Sequence, residues 1–526
     1  MKRRTFIKTA AAGAAAPIIL GGIPARAHTS LELLAQMPAD VDDRILVVVQ
    51  LFGGNDGLNT LIPALDDEYY SIRPNIAVPK ADCWNGVGSI FLHPSLTKGS
   101  QGGVARMLET GSLALVQGIG YENPNLSHFR STDIWLSGIN SSDPNVRLDT
   151  GWVGRYLEQR YPDFPANLPE HPLAIQFGGS FSLTLMSGKG RMGIEVTDPS
   201  GQRGVGLQLD TLDANAPGTF YYDEYQFVAD IANRSNSYAQ AVKDAYTTGK
   251  SRLRGAYAVN GFASQMASVA ALIAGGLKTK VYVVSMGGYD THVNQQYTGN
   301  GGTHPSLLES FSDSVAQFQY DMTSLGFADQ VVGLTLSEFG RRPYENGSRG
   351  TDHGTASVQF VWGRQVNSGV FGNAPDLKNL NANGDFYYQI DYREVYAEIL
   401  TDWFGLSLQQ MREVLRKDDL VPLDVLQAQP TSVDRNRALR GGIAITAIAP
   451  NPSRGRTTVD VVLDRPSQTR IEIVSLDGRL VAVPVDRHLE PGDHRLPLDL
   501  DIPTGTYICR LRAAGRNDVR NLQIVH

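Results

Sequence analysis

The chain has 526 residues, 42% hydrophobic and 19% charged, with 47 basic against 54 acidic residues and a formal net charge of −7. Such values fit two or three globular domains and argue against nonspecific nucleic-acid binding, while leaving room for a local anion site. The only cysteines, Cys83 and Cys509, fall in what read as different domains, so neither a structural disulfide nor a cysteine-based zinc site is expected.

Residues 1–27 read as a targeting segment. Arg3 and Arg4 precede Phe6, an apolar, alanine-rich run follows, and Ala25-Arg26-Ala27 has the small-x-small spacing of a cleavage site. The pair of arginines resembles a Tat export signal, which implies folding before translocation. No later apolar run is long enough to span a bilayer, so the mature chain is expected to carry no transmembrane segment.

From there the chain alternates apolar runs with glycine-rich turns. Residues 45–51 predict a central parallel strand that stops at Gly53-Gly54-Asn55-Asp56-Gly57, where Asp56 is either a ligand at a strand end or a turn residue. A short helix is predicted over 103–110 and a second strand over 112–119. Beyond that strand, Ser127 stands where it would cap a helix running through Trp135. A hydroxyl there lies beside unpaired backbone N–H groups that favour an oxyanion. His128 reads equally as a ligand, a general acid or a helix-surface residue.

Residues 178–276 read as insertion material, with a lid as the functional reading. The core resumes with a strand at 281–286, and Gly287-Gly288 opens a turn carrying Asp290 and His292. Asp-x-His after a strand is a metal-ligand spacing, because carboxylate and imidazole two residues apart can close on one ion. His304 begins an amphipathic helix, either facing the site or exposed. The strand at 331–336 then ends in Ser337, Glu338, Arg341 and Arg342, with Asp352 and His353 on a following turn between Gly350 and Gly354. Ligands of open α/β sheets bind at such carboxyl ends of strands.

The blocks GGNDGLN (53–59), SHFRSTDIW (127–135), GGYDTH (287–292), SEFGRRP (337–343) and TDHG (351–354) together resemble the domain-of-unknown-function 1501 family, which sits within the alkaline phosphatase and sulfatase-like superfamily. The resemblance covers roughly residues 43–406. It implies an α/β fold, a doubly wound and mostly parallel sheet, with a binuclear site at its carboxyl edge in residues 28–426. On that resemblance Asp56 would hold one metal, Ser127 would stand in the place of the nucleophile, and Asp290 with His292 would hold the second. Two mappings of the late blocks stay open: Asp352-His353 resembles the superfamily's Asp-His pair, yet Glu338 stands at the strand end where that pair belongs, and on this second, preferred mapping His353 matches the final histidine. One or two divalent ions are expected, zinc or manganese before calcium because imidazoles are present. The formylglycine sulfatase signal, Cys or Ser-x-Pro-x-Arg, occurs nowhere, which favours phosphoester chemistry with Arg341 or Arg130 on the anion. The substrate would be a small anionic ester or one linked to a polysaccharide. The competing expectation is a cell-surface binding protein that has kept the fold without the chemistry.

A polar linker over 427–442 precedes a change of rhythm. Short alternating strands from 443 to 526 predict an all-β sandwich. Its segments Ala449-Pro450-Asn451-Pro452, Leu476-Asp477-Gly478-Arg479 and Pro503-Thr504-Gly505-Thr506-Tyr507 resemble the type IX secretion sorting domain. That resemblance implies passage through the periplasm to the cell surface or beyond.

Overall fold

The computed structural model describes residues 43–178, 181–201, 238–296, 301–427 and 443–525, apart from 450, 452, 464, 476–478, 491 and 515. Of the expected signal peptide only residues 19–20 and 23–24 are described, as an antiparallel pair. The rest of that segment, residues 202–237 of the expected lid and the linker from 428 to 442 lie outside the described residues.

Strand β1 (Ile45–Leu51) is buried at all seven positions, which its run of branched apolar residues permits only with cover on both faces. Strands β2 (Leu113–Gly120), β3 (Ala174–Phe177), β4 (Ile194–Val196), β5 (Val281–Met286), β6 (Val331–Leu336), β7 (Ser357–Trp362), β8 (Gly369–Phe371) and β9 (Ile390–Asp391) complete a nine-stranded sheet. Its order is β8-β2-β7-β6-β1-β5-β3-β4, with β9 also on β2. Only β7 runs against its neighbours; the pairs β1/β6, β1/β5, β5/β3, β3/β4, β2/β8 and β2/β9 are parallel. This is the expected mostly parallel sheet, with one reversed strand between β6 and β2.

Alternation along each strand divides the apolar side chains between two cores. Leu46, Val48, Val283 and Leu334 meet Trp135, Trp152, Tyr392 and Trp403 on one face; Val47, Val49, Val284 and Phe360 meet Met266, Phe311 and Val315 on the other. The first layer includes helix α1 (His128–Ser137) and the second includes α2 (Gly261–Ala274) and α3 (Thr303–Ser324), so the sheet is wound on both sides. The placement of α2 corrects one expectation. Phe262, Met266, Val269 and Leu272 are core, and β4 extends the sheet, so these parts of 178–276 build the fold instead of covering a site.

The C-terminal segment forms a three-stranded and a four-stranded antiparallel sheet. Val459, Val461 and Leu496 from one pack with Ile471, Ile473, Cys509 and Leu511 from the other, giving a sandwich with its own core. Cys83 and Cys509 are both free.

Candidate metal centre

The carboxyl ends of β1, β5 and β6 converge because one arginine joins the loops that follow them. Gly53, at φ +119°, brings the β1 loop so close to the β5 loop that a Cβ there would lie 2.1 Å from the Asp290 nitrogen. Arg341 is 1% exposed. Its guanidinium donates to the carbonyls of Gly53, Gly54 (2.9 Å), Tyr289 (3.0 Å) and Thr351 (2.8 Å), and to Asp290 Oδ1 at 2.8 Å. Five donors in a rigid fork suit this task.

Three histidines approach the same Asp290 oxygen. His292 Nε2 and His353 Nε2 each lie 3.3 Å from Asp290 Oδ1 and 3.0 Å from one another, and His128 Nε2 lies 3.6 Å from the same oxygen. The opposite ring nitrogen of each histidine has an oxygen partner. His292 Nδ1 lies 2.9 Å from Asp352 Oδ1, His353 Nδ1 3.0 Å from the Leu126 carbonyl, and His128 Nδ1 2.8 Å from Glu338 Oε1. In the tautomer that donates from Nδ1 to these oxygens, each ring would turn an Nε2 lone pair inward. Two lone pairs at 3.0 Å repel unless a cation or a proton stands between them. A tetrahedral zinc with bonds of about 2.0–2.1 Å separates its donors by about 3.3 Å, close to the spacings here.

The electrostatics agree with this arrangement. Burial alone would raise the Asp290 carboxyl, but Arg341 overcomes it and holds the group below its ordinary value. The Glu338 hydrogen bond raises His128, whereas burial lowers His353. The Asn346 hydrogen bond keeps Asp352 ionised and able to orient His292.

Several expected site residues take other parts. Asp56 is not among the converging donors: Arg73 Nη1 and Nη2 reach its two oxygens at 2.6 and 3.1 Å, Gln295 donates to Oδ2, and the Leu58 nitrogen donates to Oδ1. With Arg73, Gln295 and the Leu58 nitrogen on its two oxygens, Asp56 has its lone pairs engaged, so the binuclear expectation does not fit these residues. Glu338 and Asp352 orient histidines from behind. One Glu338 oxygen, Oε2, is buried without a hydrogen bond. Arg341 is enclosed, and Arg130 is engaged by the carbonyls of Ser141, Asp143 and Val146, so neither reaches out as an anion clamp. Ser127 is the N-cap residue of α1 and is exposed, yet its hydroxyl makes no capping bond. His304 is buried on Asn55 Oδ1 at 3.0 Å, away from solvent.

Sequence reasoning missed Arg73, which follows the short helix Asp67–Ile72 and lies 17 residues from Asp56, a separation that carries no local signal of pairing. The class that this geometry defines is an α/β sheet with an Asp-His cluster at its carboxyl edge. A model of the family described as "Protein of unknown function (DUF1501)" matches residues 216–415, taking in the 287–292, 337–343 and 351–354 blocks but not the two earlier ones. No curated protein matches the chain. Among solved structures the chain is similar to a protein in the alkaline phosphatase superfamily from Vibrio parahaemolyticus, with 8% identity and a TM-score of 0.32 over 88% of this chain and 82% of that one. It is likewise similar to the PsFucS1 sulfatase from Pseudoalteromonas sp., with 8% identity and a TM-score of 0.32 over 89% and 85%. Likeness at that level carries no chemistry, which rests on the side chains alone.

Proposed function

We propose that the chain is a metal-dependent hydrolase of a phosphoester or related anionic ester, holding one divalent ion on Asp290, His292 and His353 with His128 beside them. The observation that carries this reading is the convergence of the Nε2 atoms on Asp290 Oδ1, with those of His292 and His353 3.0 Å apart and each Nδ1 facing an oxygen. When bound, such an ion supplies Lewis-acid polarisation of the ester and lowers the pKa of a coordinated oxygen. Arg341 fixes the carboxylate, Asp352 and Leu126 fix two imidazoles, and the His128–Glu338 pair offers a place to hold a proton. Ser127 is the candidate nucleophile, since its hydroxyl is exposed, uncommitted to the helix and adjacent to His128.

Elemental analysis of the dialysed protein is expected to give about one zinc or manganese per chain, with a metal-dependent rise in Tm. His353→Ala and Asp290→Asn should each abolish both. Without bound ion in the wild type, the reading fails. The engagement of Asp56 by Arg73 favours one specific competitor, a surface protein that has lost hydrolysis. Ser127→Ala separates the two. As nucleophile, its loss should reduce turnover of an activated aryl phosphate about a hundredfold or more while leaving Tm nearly unchanged, because no cap is lost. Ion binding without turnover in the wild type would support the competitor.

Export is part of the same proposal. Its support is the leader motif, the sorting-module segments of the sandwich and that sandwich's separate core. Among the described residues no helix is long and apolar enough to cross a membrane.

A further inference from the structure

Five arginines belong to the loops at this end of the sheet or to the helix that carries His128; three have their guanidinium groups occupied within the protein, and a fourth, Arg349, is exposed on a turn at φ +56°. Arg341 is taken by loop carbonyls and Asp290, Arg73 by Asp56, Asn59 and the carbonyls of Arg342 and Pro343, and Arg130 by three carbonyls after α1. Arg342 differs. Its backbone is fixed, with its nitrogen donating to the Asp352 carbonyl at 3.0 Å and its carbonyl accepting from Arg73 at 2.8 Å. Its Cα therefore lies opposite Asp352, the residue that orients His292, and one residue from the arginine that holds Asp290. Its side chain is 42% exposed, and its close acidic partner is Asp385, whose Oδ1 lies 3.5 Å from Nε. Neither terminal nitrogen has a protein acceptor among the described residues.

Asp385 is the second observation. It is 1% exposed, and neither carboxylate oxygen accepts a hydrogen bond. Burying a carboxylate so poorly compensated costs several kcal/mol in general, so its placement calls for a role. Burial raises its carboxyl and Arg342 draws it back. With Nε as its nearest nitrogen, it restrains the stem of a long side chain, and the two terminal nitrogens, which have no hydrogen-bond acceptor among the described residues, suit two oxygens of one anion.

We propose that Arg342 receives the anionic group of the substrate beside the bound ion, and that Asp385 is its positioning residue. This assignment rests on the metal reading above and narrows the substrate to an ester that keeps at least two unesterified oxygens on phosphorus or sulfur. Inorganic phosphate is the simplest probe. On zinc-loaded full-length protein it is expected to raise Tm and to bind measurably by calorimetry. Arg342→Ala should weaken phosphate binding about tenfold or more with zinc content unchanged, and Arg342→Lys should recover only part of it, as a point charge replaces a fork. Asp385→Asn should weaken phosphate binding severalfold yet raise Tm, because a poorly compensated buried charge is removed. If zinc binds and phosphate affinity is the same in Arg342→Ala, the Arg342 assignment is overturned and the metal reading stands. If phosphate affinity survives Asp385→Asn unchanged, Asp385 loses its positioning role. If zinc does not bind to the wild type, both readings fall.

Discussion

Asp56 and Arg73 lie at 1% and 0% side-chain exposure, 2.6 Å apart, and the energetics of such a pair follow from its burial. Removing one partner leaves the other charged without compensation, so Arg73→Met should cost about 3–5 kcal/mol in urea unfolding, with much of it recovered in Arg73→Met/Asp56→Leu. On the proposed ligand set, which leaves Asp56 out, ion content should be unchanged in the double variant. Two buried histidines add a pH dependence. Burial lowers His93 to about 3 and His304 to about 4, from an ordinary 6.5. Below pH 6.5 the unfolded chain therefore takes up protons that the native state refuses, so stability falls as pH drops. The slope is up to ~1.4 kcal/mol per pH unit for each histidine until its folded value is reached. Urea midpoints measured from pH 7 to 4.5 should decline accordingly, and a flat profile would contradict the neutral assignment. Asp56 acts in the same direction lower down: Arg73 overcomes the effect of burial and keeps its carboxyl below 3.8, so its contribution is full above that pH and lost as pH falls through the folded value.

At the scale of elements, much of the site was legible because strands end where apolar runs end. The sequence reading of 45–51, 281–286 and 331–336 coincides with β1, β5 and β6, and Asp290, His292 and His353 meet as their turn positions suggested. What escaped was set by contacts distant in sequence. SVQFVW at 357–362 is a fully buried run that carries no mark of direction, so the antiparallel β7 between β6 and β2 could not be read from periodicity. The engagement of Asp56 by Arg73 and the enclosure of Arg341 were hidden for the same reason, as polar residues at strand ends look alike until their partners are known. Gly53 is where the packing tolerates least. With φ +119° and the Asp290 nitrogen 2.1 Å from a hypothetical Cβ, Gly53→Ala should cost about 2–4 kcal/mol in unfolding and reduce ion content.

For the whole molecule, the separate cores on the sheet and in the sandwich imply separable folding. Deleting residues 443–526 should leave a chain that retains its ion and a cooperative melt, and in cells the truncated protein should accumulate in the periplasm if the sandwich is the sorting module. Insoluble truncated protein would show that the units depend on one another.

The position of β1 bears on synthesis as well as on architecture. It is the first strand of the sheet to be made, yet its partners on either side begin at Val281 and Val331. At about 5–20 residues per second, the segment leaves the ribosome roughly 10–50 s before its first neighbour exists. An emerging chain with ILVVVQL uncovered for that interval is a substrate for holding chaperones and a template for intermolecular pairing. The candidate site's own residues extend to His353, so on the proposed metal reading ion capture would wait until nearly the whole sheet has been translated. Loading and folding would then be late, shared events in the life of this polypeptide.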